Sequence, residues 1–299
     1  MLGALVRMER SLRGLARQQL QRHRLAAYIR SDRRPWRYGY AEYKEHYLRN
    51  VLNDDTLMEV FRAGRPMPPE YGYRLDERVI EIPWALARLA SRAGRLLDAG
   101  SSLNHECVLT SPILANLKTT IVSLAPEGEA YWRLGVSYVF GDLRKTEFRD
   151  DWFDVITYIS TIEHVGMDNA MYTNCADIAR PGDTEDFVRA IAELKRVLKR
   201  GGVLYVTCPF GRYENHGFFQ QFDSQLVDKL IEAFASAQVN EAMFRDSRNG
   251  WILSDRDACT QCEYFDVHES KYFMPASTME YPSDYAAGPR AVACLELQK

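Results

Sequence analysis

What this chain lacks narrows it first. No apolar run approaches the roughly 20 residues that a bilayer-spanning helix needs. Met1 to Val6 is too short for the apolar core of a secretory signal, and Arg7 interrupts it. Six cysteines (Cys107, Cys175, Cys208, Cys259, Cys262 and Cys294) scattered over 299 residues are too sparse for a disulfide framework and suit reduced thiols. Together these absences make the cytoplasm the expected location. There is no internal repeat and no low-complexity segment. A basic excess is missing too: the net charge of −3 argues against a nucleic-acid binder, whose electrostatic footprint is positive. What remains is 46% hydrophobic and 26% charged, ample for a sizeable core in one large domain with a cap, or in two domains.

The charge is unevenly spread. Residues 1–38 hold ten arginines, no lysine, and only Glu9 and Asp32 as acids. On a helical wheel Leu5, Met8, Leu12, Leu15 and Ala16 form one stripe, with Arg7, Arg10, Arg17 and Arg24 opposite and Arg13 near the boundary. Residues 1–30 therefore read as a surface or oligomer-contact helix, or as an interfacial helix drawn to an anionic membrane. An oligomer contact would bring a second copy of the chain there and an interfacial helix a lipid surface; binding an acidic partner is the third alternative. Residues 35–82 are rich in aromatics, with Trp36, Tyr38, Tyr40, Tyr43, Tyr47, Tyr71 and Tyr73, and suit either core packing or the roof of a cleft. A helix is expected from Tyr47 to Phe61 and another from Ala85 to Ala93.

From Arg95 the pattern turns regular. Strands read at Arg95–Ala99, Thr119–Leu124, Ser137–Phe140, Phe153–Ser160, Val203–Cys208 and Ala291–Leu297. Helices read at Thr184–Arg200, stopped by Gly201-Gly202, and at Ser224–Ala235. Strands alternating with helices predict an open, mostly parallel α/β sheet that collects ligands at the carboxyl ends of its strands. Polar residues and turn formers gather at those ends: Asp98-Ala-Gly100-Ser-Ser102-Leu-Asn104, Val122-Ser-Leu-Ala-Pro-Glu127, Gly141-Asp142-Leu143 and Ser160-Thr-Ile-Glu163-His164.

Leu97-Asp98-x-Gly100, Gly141-Asp142-Leu143, Phe153-Asp154-Val-Ile followed by Glu163-His164-Val, and Leu198-Lys-Arg-Gly201-Gly202 together resemble the successive motifs of class I S-adenosylmethionine-dependent methyltransferases, the small-molecule branch most. The resemblance covers about residues 90–299. It implies a Rossmann-like sheet of seven strands with helices on both faces and a reversed last hairpin, Val239–Ser247 with Ala291–Leu297. Residues 86–299 would form the methyltransferase domain and residues 1–85 an N-terminal helical cap. By this likeness Asp98 and Gly100 match the loop that holds the methionine end of S-adenosyl-L-methionine. Asp142 matches the group that bonds the adenine amine, with Leu143 against the ring. Ser160, Glu163 and His164 match the strand end that faces methionine and acceptor. Ser102 stands where the family has a second glycine, and Ser123 where it has the acid that binds the ribose, for which Glu127 is the substitute.

Methyl transfer needs donor and acceptor held in line, and a base only where an acceptor hydroxyl must lose its proton. His164 is the expected base, its pKa raised by a Glu163 carboxylate, with His216 in reserve. The expected acceptor is a small-molecule or sugar-type hydroxyl. A binding or assembly module on the same fold is the rival reading. Cys259-x-x-Cys262 followed by His268 has a metal-like spacing but no second cysteine pair, so no metal site is expected. A nicotinamide site is disfavoured because the loop lacks G-x-G-x-x-G and Ser123 replaces the acid.

Overall fold

The computed structural model describes residues 19–173, 180–267 and 280–299. Most of residues 1–30, with the Leu5–Ala16 stripe, lies outside that range, as do Cys175 and His268. Five strands run parallel: β1 (Gly94–Ala99), β2 (Leu117–Ser123), β3 (Ser137–Phe140), β4 (Phe153–Ile159) and β5 (Leu198–Pro209). A two-residue hairpin follows, β6 (Glu214–Asn215) with β7 (Gln220–Gln221). The sheet is completed by β8 (Gln238–Ser247), β9 (Gly250–Ser254) and β10 (Ala291–Gln298), giving the order β3-β2-β1-β4-β5-β10-β8-β9. β10 is antiparallel to both neighbours, which makes the expected reversed hairpin.

Eight strands are present rather than seven, because β9 turns back antiparallel along β8. Its signal was in the sequence: Asn249-Gly250 is a tight-turn pair, followed by the strand formers Trp251 and Ile252. Successive β1 residues divide the core. Leu96 packs with Val155 and Tyr205 under α1 (Tyr40–Leu52), α2 (Asp55–Ala63) and α3 (Arg78–Leu89). Leu97 packs with Ile156 and Leu204 under α5 (Phe187–Val197) and α6 (Ser224–Phe234), on the opposite face. The short α4 (Glu106–Leu109) follows β1.

Several helix boundaries differ from expectation, three of them for reasons that the contacts show. The single helix expected at Tyr47–Phe61 is two, because Asp54 accepts from the backbone of Thr56 and Leu57 and starts α2 afresh. The helix before β1 begins at Arg78 rather than Ala85 and contains Pro83. A proline inside a helix leaves the carbonyl four residues earlier without its donor. Here that carbonyl is Val79 O, and the Tyr71 hydroxyl donates to it at 2.6 Å. Thirdly, α5 ends at Val197 instead of Arg200. Leu198 is fully buried in the core of the sheet and its backbone turns extended, so Gly201-Gly202 sit inside β5 and pair with the chain end, Gly201 N donating to Lys299 O at 2.8 Å. Around the N-terminal helices, Arg24, expected on a solvent face, pairs with Glu42 of α1 at 2.6 Å.

α3 is tied to the strand ends by one carboxylate. Glu81 is fully buried. Its Oε1 accepts from the Ser160 hydroxyl at 2.6 Å and the Thr207 hydroxyl at 2.7 Å, and its Oε2 from Arg78 at 2.9 Å. Removing this carboxylate leaves the Ser160 and Thr207 hydroxyls and the Arg78 guanidinium without their shared partner. Glu81→Ala is expected to lower unfolding free energy by about 3–5 kcal/mol, and Glu81→Gln, which keeps an acceptor for the two hydroxyls, by less. Urea unfolding followed by circular dichroism measures both; an alanine variant as stable as wild type would show that the anchor carries no net stability.

Candidate active site

The chain leaves β1 for β2 and β3 on one side and returns through β4 and β5 on the other, so the topological switch falls between β1 and β4. Ligands collect at such a point, outside the carboxyl ends of the strands. A cavity of about 410 Å³ lies there. Its wall combines Gly100–Ser102 after β1, Ser123–Glu127 after β2, Gly141–Arg144 after β3, and Ser160-Thr161 with His164–Gly166 after β4. Gly100, Ser102, Ser123, Glu127, Asp142, Leu143, Ser160 and His164 all line it; Asp98, Glu163 and His216 do not.

The loop after β1 is built on close approach. Gly100 has φ +105°, and a Cβ there would stand 2.1 Å from Thr161 Oγ1. Ser101 follows in the left-handed region at φ 66°, and its hydroxyl is buried against the cavity without a partner among the described residues. Ser102 does not face a ligand with its hydroxyl, which donates to Ile159 O at 2.5 Å and staples the loop to β4. Asp98 lies beneath: Leu103 N donates to Oδ2 at 2.8 Å and the Thr157 hydroxyl to Oδ1 at 3.1 Å. It shapes the loop from below. Burial pushes its carboxyl up to about 7, against the pull of those two bonds.

Ser123 turns its hydroxyl to Ala125 O at 3.1 Å. Glu127 is held at the rim by Asn104, whose amide donates to Oε2 at 2.9 Å, while Tyr138 donates to the Asn104 carbonyl at 2.8 Å. Asp142 is occupied by a partner that sequence reasoning passed over. Arg144 donates to it from its backbone N at 2.8 Å and from its guanidinium at 2.6–3.1 Å, and reaches Asp186 at 2.5 Å. Burial raises the Asp142 pKa, but the bonds and charge of Arg144 outweigh it and leave the carboxyl below its ordinary range. Only its spacing, two residues beyond Asp142, marked Arg144 in the sequence.

At the fourth strand end Ser160 takes φ 36° and spends its hydroxyl on Glu81. His164 Nδ1 lies 2.8 Å from Phe218 O. A carbonyl can only accept, so Nδ1 carries the proton and Nε2 the lone pair in the neutral ring. Asn169, buried beside it, donates to His164 O at 3.2 Å and leaves its own Oδ1 without a partner among the described residues. Glu163 points away from the cavity into the protein, where burial pushes its pKa well above the carboxylate range. Burial thus favours its neutral form, in which it lends His164 no negative charge, contrary to the sequence expectation. The His216 side chain is buried in the turn between β6 and β7, stacked on Phe219 at 4.3 Å with Nδ1 3.2 Å from Asp266 Oδ2.

Two basic residues at the mouth were also missed. Arg78, at the start of α3, lines the cavity and stands among Glu81, Glu77 and Glu163. His105 lines it too; burial lowers its pKa, with the charges of Lys44 and Arg78 adding to the effect, so it stays neutral. Only long-range packing brings Arg78 here, and no local pattern announces it. Among the described residues no group of three or more His, Cys, Asp or Glu is arranged to hold a metal ion, and no helix is long and apolar enough to cross a membrane.

A family model described as "Methyltransferase domain" matches residues 113–206, the stretch from the approach to β2 through most of β5. Within that stretch the chain has the sequence signature of a methyltransferase domain. The matched stretch includes the Asp142-Leu143 and Glu163-His164 turns of the cavity. No curated protein matches the chain. Among solved structures it is similar to a 1,6-didemethyltoxoflavin-N1-methyltransferase of Burkholderia thailandensis, bound to 1,6-didemethyltoxoflavin and S-adenosylhomocysteine (15% identity, 93% of this chain and 90% of that one, TM-score 0.42). It is also similar to a SAM-dependent methyltransferase of Archaeoglobus fulgidus (10% identity, 77% and 97%, TM-score 0.45). A third likeness is to a candidate sarcosine dimethylglycine methyltransferase of Galdieria sulphuraria, of which the chain spans only 60% (14% identity, 54% of this chain, TM-score 0.38). At such values the chemistry has to be read from the site itself.

The Asp98 carboxyl gives a test with a defined sign. Its folded pKa of about 7 lies above the ~3.9 of an unfolded aspartate. The folded state therefore holds the proton more tightly, and Asp98 contributes stability that is present below pH ~4 and lost as pH rises through 7. An asparagine in its place would accept from Leu103 N and donate to the Thr157 oxygen without titrating. Thermal unfolding of wild type and Asp98→Asn from pH 5 to 8 is expected to show wild type losing ground by on the order of 3 kcal/mol. A difference that stays constant with pH would show that Asp98 is charged in the folded protein.

Proposed function

We propose that this methyltransferase domain uses S-adenosyl-L-methionine to methylate a hydroxyl of a small molecule, with His164 receiving the proton. The observation that carries the reading is the cavity at the switch point, lined by Gly100, by Asp142-Leu143 and by His164. The residues fit the donor. A nucleoside with an amino-acid arm needs an apolar slot and scattered polar groups, and Leu143, Val122 and Val165 supply the first. Ser101 Oγ and Asn169 Oδ1, both buried and unpartnered among the described residues, are groups a ligand would satisfy. Glu127, steadied by Asn104, is the acid available for ribose hydroxyls in place of Ser123.

When bound, the donor supplies a methyl group on an already activated sulfonium sulfur. The chain's task is then orientation and proton handling. The loop at Gly100 lets main chain approach the ligand. His164, held by Phe218 O with the lone pair on Nε2 in the neutral form, can take a hydroxyl proton in the transition state. The aromatic helices of residues 1–85 serve as the cap over this end of the sheet, and the arginine-rich residues 1–30 as a contact for an anionic membrane. Sedimentation with phosphatidylserine vesicles at low and high salt tests that contact. Absence of binding at both would leave the segment a protein-contact helix.

A second reading has its own observation: Arg144 already saturates Asp142, and the Ser123 hydroxyl is turned away, which suits a fold kept as a binding module. Calorimetric titration separates the two. Saturable binding of S-adenosyl-L-methionine and of its demethylated product is expected for the enzyme; no heat with either would overturn the proposal. With an acceptor found by screening hydroxyl compounds, His164→Gln is expected to lower kcat by roughly 10²–10⁴-fold with donor affinity nearly unchanged. Full kcat in that variant would remove His164 as the base and turn attention to His105.

A further inference from the structure

Cys259 and Cys262 lie outside the cavity, and the proposed transfer makes no use of them. Helix α7 (Arg256–Cys259) starts at Asp255, whose side chain accepts from Ala258 N at 2.8 Å. The chain then turns, with Cys262 N donating to Cys259 O at 3.0 Å. That bond closes a β-turn, whose end Cα atoms lie within about 7 Å, overlapping the ~4.4–6.8 Å that a disulfide spans. The turn is fixed from outside as well. Cys262 O accepts from Arg212 N at 2.9 Å and from the Gln221 side chain at 2.9 Å, and a Cβ on Gly211 would stand 2.0 Å from that oxygen.

The two thiols are unequal. Cys259 is fully buried, whereas Cys262 keeps partial access to solvent. The two thiols perturb each other, and Ser254 acts on Cys259 as well. Those influences, with the charge of Arg245, draw the Cys259 thiol down, while the same pairing and burial push Cys262 up. Access, and not thiolate character, selects Cys262 as the thiol that a small molecule can meet, because Cys259 is buried and Cys262 is the harder of the two to deprotonate.

We propose that Cys259 and Cys262 form a reversible thiol–disulfide site whose co-reactant is a small disulfide of the glutathione class. The Cys262 thiol loses its proton to solvent and its sulfur attacks one sulfur of the small disulfide. That S–S bond breaks, and one glutathione thiolate leaves and takes a proton from water. The Cys259 sulfur, its proton likewise lost to solvent, then attacks Cys262 Sγ and displaces the second glutathione. Two protein thiols are oxidised to one disulfide, and one small disulfide is reduced to two thiols. Entry falls to Cys262, because a tripeptide cannot reach Cys259.

The full-length protein is equilibrated in glutathione buffers of stepped oxidised-to-reduced ratio, denatured in an alkylating quench, and mapped by peptide mass spectrometry. Cys259 and Cys262 are expected to lose alkylation together and to regain it with dithiothreitol. Cys259→Ala, checked for folding by circular dichroism, is expected to accumulate glutathione on Cys262, and Cys262→Ser to take none at Cys259. Wild type decides the matter even if a variant misfolds. Both cysteines remaining alkylatable at every ratio, or Cys262 retaining glutathione in wild type, would overturn the proposal.

Discussion

The strand ends that build the cavity depend on one buried carboxylate. Glu81 collects the hydroxyls of Ser160 and Thr207 and the guanidinium of Arg78, so it holds β4, β5 and α3 to a common point. Ser160 sits at φ 36°, outside the ordinary backbone wells. Such a conformation costs of order 1–3 kcal/mol and persists only where surrounding contacts fix it. The Glu81 bond to its side chain, and the bond from Ser160 N to Thr207 O at 3.1 Å, are those contacts. The turn that carries His164 starts from this strained residue. Helix α3 is therefore part of the site's foundation, and it straddles the boundary that composition suggests near residue 85.

The parts legible in the sequence were the local ones. Alternation of strand and helix gave the parallel half of the sheet, because each parallel strand needs a crossover of its own. Small residues and acids at the strand ends marked the cavity wall, since only a turn with Gly100 at φ +105° lets the chain pass so close to Thr161. The helix expected at Ser224–Ala235 was visible from its apolar face, and it forms over Ser224–Phe234.

The parts that stayed hidden depend on partners far along the chain. Ser160 and Thr207 lie 79 and 126 positions from Glu81, and no spacing rule connects them. Pro83 reads as a break because nothing nearby reveals that Tyr71 will take the carbonyl it releases. His164 and His216 look alike as candidate bases, yet one lines the cavity and the other is stacked behind Phe219. Burial sets the charge of Glu163, and burial is a property of the fold. A carboxylate next to a histidine in sequence suggests a charge beside it; a 3-10 turn over Ile162–His164 instead sends the two side chains in different directions.

The neutral acids around the site have a consequence for the chemistry proposed. Burial lifts Glu77 to about 8, Asp98 to about 7 and Glu163 well above the carboxylate range, so these three acids carry less negative charge at neutral pH than ordinary carboxylates would. A methyl donor enters with a positive sulfonium and loses that charge as the methyl group leaves. A carboxylate fixed beside the sulfur would stabilise the starting state more than the transition state, and only interactions stronger in the transition state accelerate a reaction. Holding nearby carboxyls protonated avoids that ground-state trap. Asp142, charged against Arg144, and Glu127 at the rim lie at the nucleoside side of the proposed arrangement, where they can contribute binding without opposing the loss of charge.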